Sequence, residues 1–260
     1  MTLLAPATGT GRVVTVNPVA KMAALVPLTL CLLLTLDWLS ATVGLVGEVA
    51  LFLAAGLRSR VLWLRAVPLL VAAPLAGVSM LLYGQASGET YLRLGFVHVT
   101  EGSVAIGLRT TARVLAVALP AVLLFATIDP TDLADGLAQR LRLPSRFVLG
   151  ALAGLRLVGL FVHDWRSLEL ARRARGVADT GRFRRLLGQA LALLVLAVRR
   201  GTKLATAMEA RGFDGPGARS WARPSPFGRA EVVTIGCGVL LGAACVVAAV
   251  AGGTWNFILS

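Results

Sequence analysis

The chain has 260 residues, 57% of them hydrophobic and only 15% charged, whereas an ordinary soluble domain carries about a quarter charged residues. That balance argues against a water-soluble globule. The 26 Lys and Arg stand against 13 Asp and Glu, a formal net charge of +13, which points to nucleic acid or to a membrane surface. Nucleic acid is disfavoured, because the apolar residues come in long uninterrupted blocks and aromatic residues make up only 6%, too few for a base-stacking surface.

Between Met1 and Thr10 there is no basic start and no A-x-A pattern after a short apolar core, so no removable secretory signal is expected. A hydrocarbon core of about 30 Å calls for about 20 mostly apolar residues in a helix. Five segments approach that length: Val19 to Leu36, Ala41 to Leu57, Leu62 to Tyr83, Val104 to Ile128 and Val232 to Ala251. Asp37, Trp38 and Ser40 form the short turn between the first two, which predicts an antiparallel helix pair. The third contains the uncharged run Ala66 to Gly88.

Pro27, Pro68, Pro74 and Pro120 fall inside these spans; in a membrane, neighbouring helices can satisfy the carbonyls a proline frees. Cys31, Cys237 and Cys245 lie in apolar stretches without metal-ligand spacing and read as small buried hydrophobes. Glu48, Arg109 and Arg113 are charges within the predicted spans, and such charges are functional hypotheses by default. A structural role is the better reading for all three. The arginines form an i, i+4 pair near a helix end and can snorkel, and Glu48 is expected to pair with a basic neighbour.

The basic residues also orient the chain. Arg12 and Lys21 precede the first span, and Arg58, Arg60 and Arg65 follow the second; these ends are expected to be cytoplasmic. The Gly84 to Gly102 loop carries Glu89, Glu101 and Arg93 and is expected outside. From Asp129 to Arg229 the sequence holds 18 Lys and Arg, because only eight of the 26 lie elsewhere.

Apolar residues recur through that basic block, at Phe147, Val148, Leu152, Leu155, Leu160, Phe161, Trp165 and Leu168 and then from Leu186 to Val198. The pattern is that of amphipathic helices and not of a disordered tail. Asp129 can cap a helix opening at Pro130, and Pro144 can open another beside Ser145. Three helices are predicted, from about Pro130 to Arg140, Pro144 to Arg175 and Arg182 to Arg211. Gly215, Pro216, Gly217, Pro224 and Pro226 break the pattern before the last span. The organisation read from these signals is an N-terminal cytoplasmic segment (1–18), a four-helix membrane region (19–128), a cytoplasmic helical domain (129–230) and a C-terminal membrane helix (231–260).

Two helices of the basic block end in one tripeptide, Ala174-Arg175-Gly176 and Ala210-Arg211-Gly212, 36 positions apart. Basic residues in a last turn complement the helix dipole, and a glycine just beyond permits a left-handed cap. Either ending alone has that ordinary explanation; their surroundings carry more. Arg175 stands in Ala171-Arg172-Arg173-Ala174-Arg175-Gly176 and Arg211 in Ala207-Met208-Glu209-Ala210-Arg211-Gly212-Phe213. These strings resemble the paired signatures of the EcfT/CbiQ family, the T components of energy-coupling factor (ECF) transporters. Asn17-Pro18-Val19-Ala20-Lys21-Met22 resembles the family's entry to its first helix. Thr127-Ile128-Asp129-Pro130 with Leu133 resembles its segment after the fourth helix, with Asp129 in place of a small hydroxyl residue. Leu143-Pro144 with Phe147 and Arg156 resembles the start of its long cytoplasmic helix.

The resemblance implies an all-α polytopic membrane protein, with about five transmembrane helices and a cytoplasmic domain of long amphipathic coupling helices, in a bacterial or archaeal inner membrane. It implies no catalysis by this chain. Two ABC-type ATPase subunits hold ATP and magnesium, a substrate-binding S component selects a vitamin or a transition-metal ion such as cobalt, and this chain binds no cofactor. The coupling residues carried over are Ala174, Arg175, Gly176, Ala210, Arg211 and Gly212, supported by Arg172, Arg173, Met208 and Glu209. Gly201, Ala205, Met208 and the Leu152 to Trp165 stripe are expected to pack helix on helix or against the S component. Membrane lipids are partners and nucleic acid is not.

Other functions are weaker. His98 and His163 are predicted on opposite sides of the membrane, so they do not form one metal site, and His163-Asp164 reads as a polar position on an amphipathic helix. No G-x-x-x-x-G-K-[ST] phosphate loop occurs, so ATP is expected to be hydrolysed by another chain. A membrane-embedded enzyme using the basic block against anionic headgroups is the main competitor. A secondary transporter is another, although it would favour paired intramembrane carboxylates and inverted repeats.

Overall fold

A computed structural model describes residues 14–35, 37–57, 60–83, 90–94, 97–176, 181–213, 215 and 220–253. Arg12, Arg58, Glu89, Pro216 and Gly217, which entered the orientation and boundary arguments, lie outside the described residues. Among the described residues the helices are α1 (Pro18–Leu34), α2 (Trp38–Ala54), α3 (Arg60–Tyr83), α4 (Glu101–Phe125), α5 (Pro130–Gln139), α6 (Ser145–Ala174), α7 (Arg182–Ala210) and α8 (Arg229–Ala251). Their ends fall within three residues of those predicted, because the caps that fix them are local. Asn17 Oδ1 accepts the Val19 N–H at 3.1 Å with Pro18 opening α1, and Asp37 Oδ2 accepts the Ser40 N–H at 2.9 Å at the start of α2. Thr100 and Ser103 form a reciprocal capping box on α4, and Asp129 Oδ1 accepts the Thr131 N–H at 2.7 Å beside α5. Each satisfies an amide that the first helical turn leaves without an intrahelical acceptor.

The all-α, polytopic reading holds. By length and composition α3, α4, α6 and α8 can cross a membrane. The apolar α1 and α2, 17 residues each, are about 26 Å long, near the lower limit for a span. The prolines at 27, 68, 74 and 120 lie inside helices as expected. Two findings depart from the sequence reading. A short antiparallel hairpin, β1 (Thr90–Leu94) and β2 (Val97–Thr100), with Arg93 opposite His98 in register, occupies the connection between α3 and α4. And α6 is long and apolar enough for a span, with exposed Leu155, Val158 and Val162 on one face and Leu160 off it. In α7, by contrast, Phe183, Leu187, Leu191, Leu194 and Val198 follow one stripe.

The described chain divides into two compact units, one of Ala134–Ser225, the other of the residues before it together with Pro226 onward. In the second unit α8 packs against α1 and α2, and α4 against α3 and α2. One core cluster joins Phe52, Leu57, Leu62, Ala66, Leu119, Leu123 and Leu124, and another joins Leu28, Leu32, Ala116 and Cys245. Helix backbones meet at glycines. A Cβ on Gly238 would lie 2.3 Å from Ala24 O, and one on Gly77 would lie 2.6 Å from Gly107 O. Such approaches are how helices associate where lipid removes the hydrophobic drive.

In the other unit Ala134, Ala138 and Val148 form a small core between α5 and α6. The segment at residues 223–225 is fastened to the end of α5: Gln139 Nε2 donates to Arg223 O and its Oε1 accepts the Ser225 N–H, both at 2.8 Å, while Arg140 Nε donates to Ser225 O at 2.9 Å.

Candidate functional site: two arginine-tipped helix ends

Both Ala-Arg-Gly strings terminate their helices with one geometry. Arg175 ends α6 at φ −88°, ψ 3°, and Arg211 ends α7 at φ −89°, ψ 8°. The glycines that follow turn left-handed, Gly176 at φ +68° and Gly212 at φ +74°, a region that a residue with a Cβ rarely enters. Gly176 N–H donates to Arg173 O at 3.1 Å, and Gly212 N–H donates to Glu209 O at 2.9 Å. At the second end Phe213 N–H also donates to Met208 O at 3.0 Å, completing a Schellman cap. Arg172 and Met208, four positions before the glycines, are half-buried, while Arg173, Ala174, Glu209 and Ala210 are exposed. Arg175 and Arg211 are exposed, and among the described residues neither guanidinium has an ion pair or hydrogen bond. The caps use only backbone groups, so neither guanidinium is spent on closing its helix.

α6 and α7 contact each other through charge. Asp164 and Arg200 form a two-pronged ion pair, with Arg200 Nη1 on Asp164 Oδ2 and Nη2 on Oδ1 at 3.0 Å. Glu169 Oε1 accepts from Arg185 Nη2 and from Arg173 Nη2, both at 2.8 Å. The Arg172 guanidinium lies over Gly188, where a Cβ would come within 3.1 Å of Nη1. From Asp164 to Glu169 the ion-pair partner on α7 falls from Arg200 to Arg185, so the two helices run antiparallel. Asp164 is therefore committed to Arg200, and His163 bonds Ser167 Oγ at 3.3 Å, which makes the His163-Asp164 pair part of a polar helix surface. A Cβ added at Gly201, expected to pack on a helix or against the S component, would meet nothing within 4 Å.

The other unit brings together two strings that are far apart in sequence. Lys21, 1% exposed, donates from Nζ to Thr127 Oγ1 at 3.0 Å, Val14 O at 3.3 Å and Thr127 O at 3.4 Å. Asn17 Nδ2 donates to Pro226 O at 2.9 Å and its backbone N–H to Glu231 Oε1 at 3.3 Å. The start of α1, the end of α4 and the start of α8 are thus tied at one level.

Arg113 has a use that sequence reasoning missed. Its Nη2 donates to Leu32 O at 2.5 Å and Leu33 O at 3.1 Å, capping the carbonyl end of α1. Glu48 corrects an expectation: it is 2% exposed, and neither carboxylate oxygen has a hydrogen-bond partner among the described residues. Among the described residues it takes part in no ion pair. It borders a cavity of about 480 Å³ between α1, α2, α4 and α8, walled by apolar residues such as Leu28, Phe52, Leu124 and Leu241. Of the three cysteines Cys245 is buried, Cys31 and Cys237 are half-buried, and all are free. Among the described residues no group of three or more His, Cys, Asp or Glu could hold a metal ion.

Apolar helices joined at glycines, together with a basic helical unit whose rods end in exposed guanidinium groups, define a multi-pass α-helical membrane protein. A family model described as CbiQ, cobalt transport protein, matches residues 12–221, and the chain belongs to that family. Among similar curated proteins, each named energy-coupling factor transporter transmembrane protein EcfT, that of Limosilactobacillus fermentum is 29% identical over 166 residues, 57% of this chain and 62% of its own. That of Bacillus selenitireducens is 28% identical over 175 residues, covering 63% and 65%. That of Bacillus subtilis is 30% identical over 145 residues, covering 51% and 55%. The matches span 55% to 65% of the length of these relatives.

Proposed function

We propose that this chain is the T component of an energy-coupling factor importer, a membrane scaffold that passes ATP-driven motion of two ABC-type ATPase subunits to a substrate-binding S component. ATP and magnesium reside on the ATPases, and this chain contributes force transmission rather than catalysis. The S component selects the cargo, a vitamin or a transition-metal ion. The chain lies in a bacterial or archaeal inner membrane, with its N-terminus and the α5–α7 unit on the cytoplasmic side. The C-terminal half of α6, with Asp164, Arg166, Glu169, Arg172 and Arg173, supports leaving that helix out of the bilayer, where such charges are costly.

The observation that carries this reading is the repeated helix end, the same cap at Arg175 and Arg211 with each guanidinium exposed. A guanidinium is planar, permanently charged and offers five donors to carboxylates and carbonyls, and a glycine beside it lets a partner's backbone approach. Closure of the ATPase dimer on ATP moves the two tips, and the rods carry that displacement to the membrane helices. In the test, Arg175→Ala and Arg211→Ala are purified with both ATPases and the S component co-expressed. Each is expected to insert normally yet lose at least about tenfold in recovered ATPase, since truncating one partner of a buried charged contact costs about 2–5 kcal/mol. Full co-purification with full ATP-driven uptake in both variants would reject the role.

A further inference from the structure

We infer that the Asp164–Arg200 ion pair is the clasp that fixes the angle at which the Arg211 arm leaves α6, and hence the distance between the two arginine tips. Its consequence for transport rests on the T-component reading above, although the geometry does not. Asp164 stands eleven positions before Arg175, and Arg200 eleven before Arg211. At 1.5 Å per residue each tip lies about 16 Å along its helix from the clasp.

The two sides of that point differ. Toward the Arg175 tip, the helices remain joined by Glu169 with Arg185 and by Arg172 over Gly188. Away from it the ion pairs between them stop. A Cβ on Gly150, Gly154 or Gly159 of α6, or on Gly201 of α7, would meet nothing within 4 Å, and beyond Arg200 no side chain of α7 makes an ion pair with α6 among the described residues. The clasp is thus, among the described residues, the last ion pair between the two helices on the Arg211 side.

Apolar packing does not substitute for it. Among the described side chains, Val148, which packs with α5, is the sole buried residue of α6 and Gln189 the sole buried one of α7, so no fully buried apolar side chain of α7 sets the angle of the crossing. An isolated, exposed ion pair contributes little. Here the carboxylate side chain is only 16% exposed and both prongs are engaged, the arrangement in which arginine gives direction as well as attraction.

The test uses the full chain in lipid nanodiscs, with Cys31, Cys237 and Cys245 replaced by serine or alanine. Spin labels are placed on Ala171→Cys and Ala207→Cys, exposed positions four residues before each tip arginine. Electron-electron double resonance then reads the distance between the arms. The parent is expected to give one narrow distribution and Asp164→Asn one at least twice as broad. Arg200→Lys, which keeps the charge and loses the fork, is expected between them, and the swap Asp164→Arg with Arg200→Asp is expected to restore most of the narrowing. An unchanged distribution in Asp164→Asn, or a swap as broad as the single variants, overturns the clasp; if Asp164→Asn fails to fold, Arg200→Lys against the swap decides in the same way. No ATPase enters this measurement. A distribution that responds as expected while Arg175→Ala and Arg211→Ala retain their ATPases therefore sinks the T-component reading alone.

Discussion

A Cβ added at Gly238 would sit 2.3 Å from Ala24 O, whereas one added at Gly159 or Gly201 would meet nothing within 4 Å. The two glycine environments mark two ways of holding helices. In the unit that contains α1–α4 and α8, backbones touch, and Lys21 and Arg113 are spent internally, on Thr127 and on the end of α1. In the α6–α7 pair the helices are joined by ion pairs, and large apolar and basic surfaces remain uncovered. The first arrangement leaves little room between helices; the second leaves side chains exposed.

The sharpest break of this comparison is Gly238→Val, expected to cost more than about 4 kcal/mol, since overpacking against backbone adds to the usual 1–3 kcal/mol of an oversized side chain. Fluorescence-detected size exclusion should show loss of the monodisperse peak. Lys21→Met comes next, leaving the Thr127 and Val14 acceptors without a donor at about 1–3 kcal/mol, read as a lower unfolding midpoint in detergent. Glu48→Met reverses the sign: it removes a buried carboxyl that no described residue pairs with and is expected to raise stability by about 1 kcal/mol. Gly201→Ala is expected to raise it by about 0.5–1 kcal/mol through helix propensity alone, and a loss there would mean that α7 is packed on that face. The smallest effect on stability belongs to Arg175→Ala and Arg211→Ala, below about 0.5 kcal/mol as for other exposed positions, since their caps are made by backbone.

Much of this architecture was legible in the sequence wherever the signal was local. Asn17, Asp37, Asp129 and Pro144 mark helix starts within a turn of themselves, and Arg-Gly marks two ends, so helix limits followed without tertiary information. The hairpin has a sequence signal too, in the alternation of Thr-Tyr-Leu-Arg-Leu and Val-His-Val-Thr at residues 90–94 and 97–100, but it is short and lies in a connection that its polar and glycine residues also mark as a loop.

What sequence did not reveal depends on contacts between distant positions. The Lys21–Thr127 bond spans 106 positions and the Arg113–Leu32 bond 81. No periodicity encodes either. Both strings around Lys21 and Thr127 carried the family resemblance, yet nothing in their composition said that they meet. Glu48 failed for a related reason: a lone carboxylate suggests a partner, and only the fold places it against a cavity instead. The Asp164–Arg200 pair had a faint signal, because its 36-position spacing equals that of the two tips.

The most direct test of the central claim is photo-crosslinking from the tips in the assembled complex. A benzophenone amino acid at Ala174 or Ala210, each adjacent to a tip arginine, is compared with one at the exposed Leu108 of α4. Crosslinks from both tips to the ATPase subunits, changing with nucleotide and absent from position 108, are the predicted result. Tips that capture no ATPase, or that react only with reagents confined to the side of the membrane opposite the nucleotide, would contradict it.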